Sequence, residues 1–249
     1  MLCQTQGNRL FYTAVPRNEG GQSLVQSLNV LYEDNHLLVI NKPALLPTMG
    51  VTEDRPSVLS LAKQYVKRKF KKPGNVYLGV VSRLDAPVTG ALLIARTSKA
   101  ASRLSQQFRE REVDKIYQAI VEGLPAEREG RCQHWLRKDE RHRRMHVTMK
   151  DVATAQQATL RYRVLRDLPG DLALLEVNLD TGRKHQIRVQ LAAIGHPVVG
   201  DRKYKSHRSF GSGIALHSHI LRFAHPVRRE PMEVVAPLPD SWVTLLPPQ

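Results

Sequence analysis

Apolar positions along this chain fall into short runs with two kinds of spacing. LLVIN (37–41) is continuous and stops at Lys42-Pro43, which predicts a buried strand closed where proline ends the pairing. VYLGVV (76–81) and GALLIAR (90–96) predict two further strands, with SRLDAPVTG (82–90) as the turn between them. IYQAIVEG (116–123), ATLRYRVL (158–165), LLEVNL (174–179) and ALHSHILRF (215–223) complete the set; in LLEVNL the residues Leu175, Val177 and Leu179 alternate with polar ones, as on a half-buried sheet. Helical spacing appears in three places. PSVLSLAKQYV (56–66) sets Val58, Leu61, Ala62, Tyr65 and Val66 on one face, with Pro56 in the first turn. SKAASRLSQQFRERE (98–112) opens on Ser98 as cap and turns Ala101, Leu104 and Phe108 inward. RKHQIRVQLAAIG (183–195) spaces Ile187, Leu191 and Ile194 helically and ends at Gly195, with Pro197 beyond. Strands outnumber helices without regular alternation, so the predicted class is α+β, with a mixed, mostly antiparallel central sheet flanked by helices and loops.

Two stretches stand outside this pattern. Residues 1–26 are polar and contain Gly20-Gly21, which predicts an arm or edge segment ahead of one domain over 27–249. Residues 128–146 hold seven Arg and Lys and three His against three acids, with no apolar run, and predict an exposed basic element, an inserted RNA-contacting hairpin over 128–150. KRKFKK (67–72) reads equally as a phosphate-contacting patch and as the solvated cationic end of a helix.

Charge narrows the partner class. Thirty-eight Lys plus Arg against twenty-three Asp plus Glu leave +15, a balance suited to a polyanion, with nucleic acid foremost. Two cysteines, Cys3 and Cys132, make neither a disulfide framework nor a metal spacing, and no apolar stretch resembles a membrane span or a signal peptide, so the expected compartment is the cytoplasm. No Walker loop or dinucleotide fingerprint is present, and GSG (211–213) is only a turn. His142 and His146 have the i, i+4 spacing of metal ligands but are separated by Arg143 and Arg144, so no metal is expected; His217 and His219 read as core histidines. Asp85, alone in SRLDAPVTG, has no second carboxylate nearby, which disfavours two-carboxylate glycosidase chemistry, and aspartate followed by proline and glycine also suits a plain turn.

Five stretches in order, VLYEDNHLLVINKPALLPT (30–48), SRLDAPVTGALLIART (82–97), DKIYQAIVEG (114–123), DTGRKHQIRVQLAAIGHPVVGD (180–201) and IALHSHILRFAHP (214–226), resemble the RluA-type family of RNA pseudouridine synthases, in the subgroup without an N-terminal S4 domain. The resemblance spans about residues 30–240 and implies a single pseudouridine-synthase-type catalytic domain that isomerises a uridine in a structured stem-loop of tRNA or ribosomal RNA, acting as a monomer and without a cofactor. It carries the reacting carboxylate onto Asp85, the base-contacting aromatic onto Tyr117, and the cation that pairs with the carboxylate onto Arg188. Arg83 becomes the residue that enters the RNA stack as the target base flips out, because extruding a base costs a few kcal/mol that a planar cation partly recovers. Lys42, Arg183, Lys184 and His185 become substrate contacts. The chain departs from the family pattern at Ser82, usually histidine; at Ala86-Pro87-Val88-Thr89, usually more polar; at Lys184, commonly Thr or Ser; and at Leu45, commonly glycine. These departures bear on which RNA is bound. The competing reading is a non-catalytic RNA-binding or chaperone protein on the same fold, which needs the basic surface but not Asp85; a DNA-directed protein lacks any readable helix-turn-helix or finger.

Overall fold

The computed structural model describes residues 28–50, 52, 55–242 and 245–246, so the predicted arm over 1–26 lies outside the described residues. In chain order the strands and helices are β1 (Val30–Glu33), β2 (Leu37–Lys42), α1 (Val58–Lys69), β3 (Gly79–Val80), β4 (Thr89–Ala95), α2 (Ser98–Glu110), β5 (Asp114–Glu122), β6 (Glu129–Asp139), β7 (Arg144–Thr148), β8 (Gln156–Leu168), β9 (Leu172–Leu179), α3 (Gln186–Ala193), β10 (Leu216–Ala224) and β11 (Pro231–Val235). The class is α+β, as the runs predict. The described residues fall into two compact units, one within 28–113 and Ser218–Pro237, the other within Asp114–His217 and 238–246.

In the first unit β2 runs antiparallel to β4 from Leu37 opposite Ala95 to Lys42 opposite Gly90, and β1 closes the edge beyond β2. All seven residues of β4 are buried, which explains an apolar run without alternation. One side packs with Ala100 and Leu104 of α2, Val39 of β2 and Phe223 of β10. VYLGVV predicts six residues of strand, yet only Gly79 and Val80 pair, with Ala95 and Ile94. The reason is non-local: β4 already has β2 and β10 as neighbours, so β3 finds free edge only at its end. Both helices of this unit start on side-chain caps. Ser57 and Ser60 form a reciprocal capping box on α1, which places Pro56 ahead of the helix rather than in its first turn. On α2 the cap is Thr97, not Ser98, its hydroxyl accepting from Ala100 N–H at 3.1 Å.

In the second unit β5, β9, β8, β6 and β7 pair successively antiparallel. The basic stretch over 128–150 is thereby the β6–β7 hairpin. It is not a free arm, since β6 also pairs along β8 and Leu136 and Met145 are buried against Val189 of α3 and Tyr204. The spacing of Ile187, Leu191 and Ile194 predicts one buried stripe on α3, but Gln186 through Leu191 are all buried, polar residues included. A helix enclosed on every side must satisfy each polar group within the protein. Gly195, just past its end, has φ +89°, the stop the sequence predicts.

Two backbone positions matter for the site. Gly90 has φ +109°, and a Cβ there would lie 2.2 Å from the Ser218 carbonyl oxygen, so no other residue fits. Leu45 has φ +64°, a left-handed conformation that costs a non-glycine residue about 1 kcal/mol.

Candidate active site

The R-L-D triplet is set by its middle residue. Leu84 is buried, and its N–H and C=O both bond the Thr48 hydroxyl, the N–H donating at 3.2 Å and the hydroxyl donating to the carbonyl at 2.8 Å. On either side of it Arg83 is exposed and Asp85 is half-buried. A turn follows at once, with Val88 N–H donating to the Asp85 carbonyl at 3.1 Å. Val88 and Thr89 are then buried. That revises the expectation for Ala86-Pro87-Val88-Thr89: half of this departure belongs to the core, leaving Ala86 and Pro87 half-buried to bear on substrate.

Lys42 does not serve the surface role expected of a substrate contact. It is fully buried, and its ammonium donates to the carbonyls of Pro43 at 2.8 Å, Leu46 at 2.8 Å and Ala86 at 2.9 Å. Three acceptors match the three protons of an ammonium. Its position opposite Gly90, where β4 begins, is what brings the residue after Asp85 within reach. Burial pulls the Lys42 pKa down to about 7, and the negative charge of Asp85 works against that fall. The end of β2, the loop after it and the Asp85 turn are thus tied to one nitrogen.

The second unit holds the other predicted residues. Tyr117 lies on β5 opposite Val177 of β9 and is buried. Arg183 and Lys184 are exposed. The Arg183 side chain reaches the Gln157 carbonyl at 3.2 Å, and its N–H donates to Gln186 Oε1 at 2.9 Å. His185 is half-buried with φ +52°, and its Nδ1 lies 2.8 Å from the Tyr204 hydroxyl, which accepts from Met145 N–H at 2.9 Å. His185 precedes α3, and its side chain bonds Tyr204 rather than capping the helix.

Arg188, in the middle of α3, is 5% exposed and forms a two-pronged pair with Asp201, itself 2% exposed: Nε donates to Oδ2 at 2.6 Å and Nη2 to Oδ1 at 2.9 Å. Its guanidinium carbon lies 5.1 Å from the centre of the Tyr204 ring. The fork geometry fixes the plane of the guanidinium as well as its place. Asp201 and Tyr204 are residues that motif reading passes over. The signal that finds them is physical: an arginine inside a helix buried on all sides requires an acid, and GHPVVGD supplies one close in sequence. Gln186 is similarly missed. Buried, it accepts from the Thr181 hydroxyl at 2.8 Å and donates to the Thr159 carbonyl at 3.0 Å, which fixes the Asp180-Thr181-Gly182 turn. His142 and His146 both meet Asp139, at 2.8 and 3.0 Å, and among the described residues no cluster suited to a metal ion occurs.

A family model described as RNA pseudouridylate synthase matches residues 36–193. The chain is 36% identical over 236 residues to ribosomal large subunit pseudouridine synthase D of Xylella fastidiosa, an alignment covering 88% of this chain and 68% of that protein. It is 32% identical over 207 residues to the dual-specificity RNA pseudouridine synthase RluA of Haemophilus influenzae, covering 82% and 90%. Among solved structures, human RNA pseudouridylate synthase domain containing 4 superposes with a TM-score of 0.71 at 26% identity, over 88% of this chain and 94% of that one.

Proposed function

The chain belongs to the RNA pseudouridylate synthase family, whose members isomerise uridine in RNA to pseudouridine, and from that premise we propose that Asp85 is the reacting carboxylate and that the target uridine lies in a stem-loop of tRNA or ribosomal RNA. The observation that supports this assignment is the frame around the R-L-D triplet. Thr48 and Lys42 hold Leu84 and Ala86, the two residues flanking Asp85, by their backbones, while Asp85 itself stays half-exposed beside an exposed Arg83. A side chain presented from a braced backbone is what positional catalysis requires.

In the isomerisation the N1–C1′ bond breaks, uracil turns, and a C5–C1′ bond forms; the proton on C5 departs and N1 gains one. Nothing is oxidised or consumed. Asp85 acts at the sugar, as nucleophile at C1′ or as base at C2′. Arg83 fills the stack that the flipped nucleotide leaves, Tyr117 meets the extruded base, and Arg188 is the cation of the site, its plane set by Asp201. Arg183 and Lys184 contact phosphates. His185, half-buried, contacts the substrate beside them, while buried Lys42 supports the site from within the protein. The reading has the enzyme acting as a monomer in the cytoplasm.

Replacing Asp85 with Asn tests the assignment. Pseudouridine formation by Asp85→Asn, measured site by site on total RNA from cells lacking the gene, is expected to fall at least a thousandfold, with RNA affinity retained because the basic surface supplies it. Full turnover by Asp85→Asn would show that another group does the chemistry, and no product from the wild type would favour a binding protein on this fold.

A further inference from the structure

The loop over 43–50 carries two exposed apolar side chains. Leu45 is 65% exposed and Met49 43% exposed, whereas Leu46 and Thr48 between them are buried. Leu45 adopts φ +64°, a conformation that glycine takes without strain, so a leucine there is held against its own preference with no burial in return. A strained, exposed apolar residue is a reason to look for a ligand.

The loop is rigid. Lys42 holds the carbonyls of Pro43 and Leu46, the Thr48 hydroxyl is bonded to Leu84, and Val58 and Leu59 donate N–H groups to the carbonyls of Pro47 and Thr48 at 2.9 and 3.1 Å. It is also continuous with the Asp85 turn, since the same Lys42 nitrogen takes the Ala86 carbonyl. Finally, the loop PALLPTMG holds no charge in a chain of net charge +15. Phosphates will be met by the cations elsewhere; an uncharged apolar projection suits the faces of bases, as leucine and methionine wedges do in other nucleic-acid complexes.

We propose that Leu45 and Met49 form an apolar wedge that packs against bases next to the target uridine and so takes part in choosing the RNA. The proposal rests on the assignment of Asp85 above. The test uses Leu45→Gly, which relieves the left-handed backbone, so loss of function cannot be ascribed to misfolding. The full chain carrying Leu45→Gly or Met49→Ala is compared with wild type on total RNA from cells lacking the gene, with thermal melting alongside. Leu45→Gly is expected to melt no lower than wild type while its KM rises about tenfold, with kcat within about twofold, the size expected for losing contact with one base. Met49→Ala is expected to shift KM in the same direction by less. An unchanged KM in both variants, with an active wild type, would overturn the wedge and leave the Asp85 assignment standing. A dimeric wild type that Leu45→Gly converts to monomer without a change in KM would assign the patch to a second copy of the chain and likewise overturn it. No pseudouridine from the wild type would overturn both readings.

Discussion

The two units each bury a cation, and they satisfy it in opposite ways. In the first, Lys42 is surrounded by neutral carbonyl oxygens of Pro43, Leu46 and Ala86; in the second, Arg188 is gripped by the carboxylate of Asp201 and faced by the Tyr204 ring. Carbonyl dipoles repay only part of the lost hydration, so the Lys42 pKa falls to about 7. A guanidinium does not give up its proton, so burying one calls for a true counter-ion. The difference fits the two tasks. An ammonium with three donors gathers three stretches of backbone at a point, whereas a planar fork fixes the orientation of a charge.

Removing the acid from the second arrangement should have the largest effect. Asp201→Ala removes the two-pronged carboxylate from a buried guanidinium and is expected to destabilise by about 3–5 kcal/mol in urea unfolding. A loss below about 1 kcal/mol would mean that Arg188 is not held as a buried pair, and the contrast would collapse.

Lys42→Met comes next. It strips donors from three buried carbonyls and is expected to cost about 2–3 kcal/mol at neutral pH, less than the charged pair because no ion is stranded. The same variant sharpens the contrast through pH. Lys42 has a folded pKa below its unfolded value of 10.5, so the folded state binds fewer protons, and stability from this group rises as pH climbs from about 7 toward 10.5. Unfolding curves across that window should show the rise in wild type and its absence in Lys42→Met; parallel curves would place the lysine pKa elsewhere. Variants of Arg188 retain Lys42 and should keep the rise.

The smallest effect is expected from Thr48→Val, which removes one hydroxyl bonded to both backbone groups of Leu84. About 1–2 kcal/mol of stability should go, together with a drop in kcat as the Asp85 backbone loosens. If stability falls and kcat does not, Lys42 alone positions the turn.

Much of this site is legible in the chain. Each predicted strand is present, β3 shortened, and α1, α2 and α3 lie where the spacing sets them, because apolar period, proline and glycine act on their own neighbours. The Asp85 turn was readable from SRLDAPVTG on the same grounds. Thr97 replacing Ser98 as cap is a one-residue error of the kind local signals leave, since both carry hydroxyls. Lys42 is legible in the motif as a substrate contact, but its burial is not: only the approach of Ala86, forty-four residues on, encloses it.

Sequence by itself thus determined the three helices and seven of the eleven strands, the family and the residues that resemble its reacting groups, all carried by local pattern and motif. The tertiary structure decided what holds them: that Gly90 must be glycine because Ser218 lies against it, that Thr48 and Lys42 frame Asp85, and that Arg188 has Asp201. A buried polar group can be satisfied by any part of the chain that folding brings near, and that choice is written in no local stretch.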